Sequence, residues 1–150
     1  MAHVMVQANR GFTLLELLLV LFLLGLAYGL TGPMLTEGSV GLDMKTAARQ
    51  LAAGLRKARS TAATERSETV LILDVEERFF AVTGDSKRYK LPPSLFYSLF
   101  TAESELVRQQ TGAIRFYPDG SSTGGRITMT AGGQKASVDV DWLTGRVRIL

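Results

Sequence analysis

Glu16 is the residue of this chain whose setting most demands a chemical explanation. It is the only charge between Phe12 and Leu30, a run of 19 residues that is otherwise almost wholly apolar. A carboxylate in such a run is expensive unless a cation meets it, and an ionisable group there reads as functional by default. Other chemistry is sparse. There is no Cys, and the single His is His3, ahead of the apolar run. Thiol, disulfide and zinc-thiolate chemistry is closed to the chain. Beyond His3 no imidazole exists for a Ser-His-Asp or Cys-His nucleophile or for a transition metal. No catalytic residue, metal ligand or cofactor site emerges, so the reading is of a protein that is not an enzyme.

Two pairs of charged residues remain. Asp139 and Asp141 are two apart and would share one face of a strand, but two carboxylates are too few for calcium. Simple alternation accounts for them. Asp119, in Pro118-Asp119-Gly120, reads as a turn former. Arg146 and Arg148 would point the same way from a terminal strand, and paired arginines suit phosphate. Two outward arginines are also routine on an exposed strand, and a formal charge of +3 is a weak basis for nucleic acid.

The elements that position these residues begin with the apolar run itself. About 20 apolar residues cross a bilayer, so residues 12–33 read as one membrane-spanning helix. An ordinary secretory signal carries its small-residue cleavage site after the apolar core. Here Thr31-Gly32-Pro33 offers none, and the distinctive residues precede the core. Gly11-Phe12-Thr13-Leu14-Leu15-Glu16 resembles the processing motif of type IV pilins and type II secretion pseudopilins. The resemblance implies that residues 1–11 are a leader, cut between Gly11 and Phe12 by a cytoplasmic prepilin peptidase that then methylates the amine of Phe12. It also implies a helix bend at Pro33, 21 residues beyond Phe12. Phe12 and Glu16 lie one turn apart on one helix face. Glu16 then pairs with the new amino terminus of its own chain or of a neighbour in an assembly, and the resemblance favours the neighbour. Arg10, kept inside by the positive-inside tendency, orients the helix. Its loss lowers the formal charge to +2.

After the anchor, Gly38 to Gly41 is expected to loosen the chain. A second, amphipathic helix spans 42–64, because Met44, Ala48, Leu51, Leu55, Ala58 and Ala62 recur at steps of three and four. Lys45, Arg49, Arg56, Lys57 and Arg59 lie mainly off that stripe. They form either a solvated face or a surface for acidic patches on neighbouring subunits. From residue 68 to 150 the pattern is of strands. Thr69 to Leu73 and Phe79 to Thr83 flank Asp74-Val75-Glu76-Glu77 as a hairpin. Further strands are expected at Leu95 to Phe100, Ala113 to Tyr117, Arg126 to Thr130, Val138 to Trp142 and Arg146 to Ile149. Thr101 to Gly112 is polar and reads as a loop or a short helical piece. Pro118 to Gly125 is dense in turn residues. Trp142 reads as core.

The combined pattern narrows the resemblance to the minor pseudopilin family GspH. It implies an α+β fold: a long amino-terminal membrane-spanning helix, extended by an amphipathic helix packed on a carboxyl-terminal antiparallel β-sandwich-like domain. It further implies a structural subunit of the type II secretion pseudopilus that supports export across the outer membrane. The chain would be held in the bacterial inner membrane by a single pass, with its β-domain in the periplasm. Implied partners are the prepilin peptidase and methyltransferase, major and minor pseudopilins at a fibre tip, the inner membrane and secreted substrate proteins. The alternative is a FimT- or FimU-like minor type IV pilin for adhesion or DNA uptake. In such pilins a Gly-Arg-x-Arg element is implicated in DNA binding, and Gly145-Arg146-Val147-Arg148 fits it. The small net charge argues against a nucleic-acid partner.

Overall fold

The computed structural model describes residues 12–101, 106–108 and 111–150, with side chains described for all of these except 29–38 and 106–108. The leader, including Gly11, and the Pro33 side chain lie outside that set. The chain forms two compact units, residues 1–36 and 37–150. One helix, α1 (Leu14–Glu65), contributes to both. The residues between the two expected helices are therefore helical as well. Glycine costs a helix interior about 1 kcal/mol and proline about 3 kcal/mol, sums that long helical flanks absorb.

In the second unit, α1 is followed by nine strands: β1 (Thr69–Asp74), β2 (Phe79–Val82), β3 (Arg88–Lys90), β4 (Phe96–Phe100), β5 (Leu106–Arg108), β6 (Thr111–Phe116), β7 (Gly125–Ala131), β8 (Gln134–Val140) and β9 (Val147–Ile149). They form two antiparallel sheets, ordered β3-β2-β1-β6-β5 and β4-β7-β8-β9. The hairpin expected around Asp74-Val75-Glu76-Glu77 is present, with Leu71 opposite Val82 and Asp74 opposite Phe79. Asp74 Oδ1 accepts the backbone N–H groups of Glu76 and Glu77 and closes the turn. Within the stretch read as loop or helix, Leu106–Arg108 is a strand instead, paired with β6. A three-residue edge strand is too short for its periodicity to be read from sequence.

The helical stripe accounts for one wall of the core. Met44, Ala48, Leu51, Leu55, Ala58 and Ala62 are all buried, and Lys45, Arg49, Arg56, Lys57 and Arg59 are all exposed. The opposing residues come from both sheets: Leu71, Leu73, Phe80, Ile114 and Phe116 from one, Tyr97, Ile127, Met129, Val138 and Val140 from the other. Alanine dominates the stripe because small side chains let a helix approach a sheet closely. The approach is close at Gly54, where an added Cβ would lie 2.5 Å from the Phe80 ring and 3.2 Å from Leu71. Phe80 is itself stacked on Tyr89 at 4.9 Å.

Trp142 is not in the core; it is 66% exposed. The alternation through Val138 and Val140 stops because β8 ends at Val140. Asp141 Oδ1 then accepts the backbone N–H and the hydroxyl of Thr144, both at 2.8 Å, and folds the chain into a turn. These bonds, the backbone one foremost, hold the Asp141 carboxyl below its ordinary range. Asp141 thus serves a turn and does not share a strand face with Asp139.

A polar clasp ties α1 to the loop between β2 and β3. Lys57 Nζ donates to Asp85 Oδ2 at 2.7 Å and the Tyr89 hydroxyl to the same oxygen at 2.9 Å. With the backbone N–H of Lys87 on its other oxygen, Asp85 is lowered to about 2. The Lys57 ammonium is raised by the same pairing. A depressed carboxylate stabilises the fold above its unfolded value and loses that contribution as pH falls through the folded one. Asp85→Asn is therefore expected to flatten the dependence of the unfolding midpoint on pH between about 4 and 2, as read by circular dichroism in acid. An unchanged acid limb would show that the clasp carries no linkage.

Candidate functional site

Two regions concentrate chemistry, one in each unit. In the first, Thr13 caps the start of α1. Its hydroxyl accepts the Glu16 backbone N–H at 3.2 Å, and its carbonyl accepts those of Glu16 and Leu17 at 3.1 and 3.2 Å. Threonine is favoured there because its oxygen satisfies one of the orphan amides of a helix start. The cap places Glu16 in the first turn, where a carboxylate also meets the positive end of the helix dipole. Phe12 is 82% exposed, and every side chain from there to Tyr28 is exposed. A helix apolar on all sides needs a covering supplied from outside the domain core. Among the described residues no cation pairs with the Glu16 carboxylate. Among them also, no helix is long and apolar enough to cross a membrane. The span expected at 12–33 includes residues 29–33, whose side chains are outside the described set.

In the second unit, Arg56 and Arg59 from α1 meet Arg146 across a groove of about 540 Å³ whose far wall is Pro118, Asp119 and Gly120. The wall is shaped by close backbone contact. Gly145 has φ +60°, and a Cβ on it would strike the Gly120 carbonyl oxygen and come within 3.0 Å of Arg59 Nε. Asp119 faces the groove but is engaged by Ser121, whose hydroxyl and backbone N–H donate at 2.6 and 2.9 Å. Those bonds, the hydroxyl's first, keep the Asp119 carboxyl below its ordinary range. Gly145→Ala is expected to combine left-handed strain of about 1–2 kcal/mol with this clash. A fall of about 5 °C or more in the thermal midpoint would follow; an unchanged midpoint would mean that the turn relaxes freely.

The comparisons with known proteins fall on both regions. The family profile for a prokaryotic N-terminal methylation motif matches residues 7–27. That of Type II transport protein GspH matches residues 47–145, which include most of the helical stripe, strands β1 to β8 and the groove residues other than Arg146 and Val147. The chain belongs to the GspH family. A relative, Type II secretion system protein H of Xanthomonas campestris pv. campestris, is 37% identical over 147 residues, covering 98% of this chain and 86% of the relative. Among solved structures, the minor pseudopilin EpsH of Vibrio cholerae superposes with a TM-score of 0.58 at 16% identity, over 74% of this chain and 95% of that one. The type IV minor pilin FimU of Pseudomonas aeruginosa does so with 0.56 at 14%, over 71% and 87%. At such identities these two likenesses concern the fold, which they share with GspH: a pseudopilin-type α+β architecture.

In this GspH-family chain, Arg146 and Arg148 have different neighbours. Arg148 lies 3.4 Å from Asp139, which also holds Arg126 at 3.0 Å, so Asp139 bridges two arginines on the outer face of the second sheet. Arg146 instead precedes β9 and joins the groove. Sequence reasoning took Arg56 and Arg59 only as part of a basic face. Their spacing of three places them side by side on a helix and could have singled them out, but no local pattern links them to Arg146.

Proposed function

We propose that this GspH-family chain is a minor pseudopilin anchored in the inner membrane through residues 12–33, cleaved between Gly11 and Phe12 and methylated on Phe12. Its β-domain lies in the periplasm and it works as a structural, non-enzymatic subunit of the pseudopilus, supporting protein export across the outer membrane. The observation that carries this reading is the capped helix start: Glu16 sits, without a cation among the described residues, in a stretch, residues 12–28, whose apolar side chains are exposed on every side. A neighbouring Phe12 amine would supply the missing charge, and neighbouring helices the missing apolar cover. Pro33 marks where the helix bends in assembly. Its partners in this reading are the prepilin peptidase, other pseudopilins and, at the fibre tip, secreted substrates.

Mass spectrometry of the chain extracted from membranes is expected to give an amino terminus at N-methylated Phe12, and Gly11→Val to leave the leader in place. An unprocessed terminus in the unsubstituted chain would overturn the reading. The alternative of a DNA-binding minor pilin draws less support, because Arg148 is engaged by Asp139.

A further inference from the structure

We propose that the groove between Arg56, Arg59 and Arg146 is a docking site for an acidic segment of another protein. Like charges brought together on a folded surface repel, and such an arrangement is relieved by an anion. None of these three arginines has an ion-pair partner among the described residues, whereas Arg126, Arg148 and Lys57 each have one. The one carboxylate on the wall, Asp119, is turned to Ser121. The groove thus keeps an unbalanced positive charge beside the close-packed backbone of Gly120 and Gly145.

The dimensions favour carboxylates on a polypeptide over a nucleic-acid backbone. A volume of about 540 Å³ holds a few side chains. Duplex binding recruits phosphates along an extended basic track, and here the neighbouring Arg148 and Arg126 share Asp139, which lowers their combined charge from +2 to +1. Arginine also forms paired, parallel hydrogen bonds with a carboxylate. The turn that carries Arg146 also exposes Trp142 and Leu143, at 66% and 62%. Exposed Trp and Arg are residue types enriched at interface centres. This inference rests on the second unit alone and stands apart from the processing and membrane reading.

The test is fluorescence anisotropy with the full-length chain in detergent, using a labelled octapeptide rich in Asp and Glu and, separately, a labelled 20-base-pair duplex. Saturable peptide binding is expected, weakened at least tenfold by Arg56→Glu and by Arg146→Glu and changed less than twofold by Arg148→Glu. Both groove substitutions are at exposed positions, and unchanged circular dichroism would establish that they fold. Absence of saturable peptide binding at low salt would overturn the proposal. So would equal loss in all three variants, which would indicate diffuse attraction, or duplex binding tighter than peptide binding, which would assign the groove to nucleic acid.

Discussion

Gly54→Leu is expected to prevent the second unit from folding, although leucine is the better helix former by nearly 1 kcal/mol. At position 54 α1 packs closely on the first sheet. Even a methyl group there would overlap the edge of the Phe80 ring at 2.5 Å. That ring is 1% exposed and stacked on Tyr89, so it has nowhere to retreat. Overpacking a well-filled core costs about 1–3 kcal/mol per modest insertion. Leucine adds three further carbons, which would push the helix off Leu71 and Phe80 together. A small domain has a total stability of about 5–15 kcal/mol, and separating its helix from its sheets removes much of it. Gly54→Ala should be the graded case, folded but less stable by about 1–2 kcal/mol once its helix gain is subtracted. Urea denaturation followed by circular dichroism would measure both. An Ala variant more stable than the parent would mean that Phe80 can rotate aside at little cost.

Glu16→Ala is expected to reduce incorporation into a fibre by more than about a hundredfold while leaving the β-domain intact. If Glu16 pairs with the methylated amine of a neighbour in the bilayer, removing it leaves that cation buried alone. Breaking a buried pair costs about 3–5 kcal/mol, and each 1.4 kcal/mol is about a factor of ten in association. Glu16→Asp, one methylene shorter, should fall between the two. The measurement is the amount of the chain recovered in sheared fibres relative to the membrane, with urea denaturation as the control for folding. Unchanged incorporation of the Ala variant would remove Glu16 from any role in register. Loss of incorporation with a destabilised β-domain would instead trace the defect to folding, an outcome the structure gives no reason to expect, since Glu16 contributes nothing to the core.

Local signals carried a good deal of this protein. The run around Glu16, the three-and-four spacing of Met44 through Ala62 and the alternating strands are patterns within a few residues of each other. Such patterns report burial, because a helix or strand exposes its faces at a set period. They yield the helix stripe, the hairpin at Asp74 and most of the strands. The motif at Gly11 to Glu16 yielded the superfamily for the same reason: its chemistry is contained in six consecutive residues.

Three features depended on contacts that no periodic pattern reports. Trp142 had the right alternation to be core and is exposed, because a side-chain bond from Asp141 to Thr144 ends the strand early. Arg148 looked like a partner of Arg146 but is held by Asp139, two strands brought into register by sheet pairing. Arg146 itself faces Arg56 and Arg59, about ninety positions earlier in the chain. Spacing along a sequence says which side of an element a residue takes; it does not say what stands opposite. The sequence alone therefore determined the N-terminal methylation motif, the amphipathic helix and the β character of the domain. Only the tertiary structure decided which charges are paired and which stand unpaired among the described residues, because pairing depends on what folding places opposite each side chain.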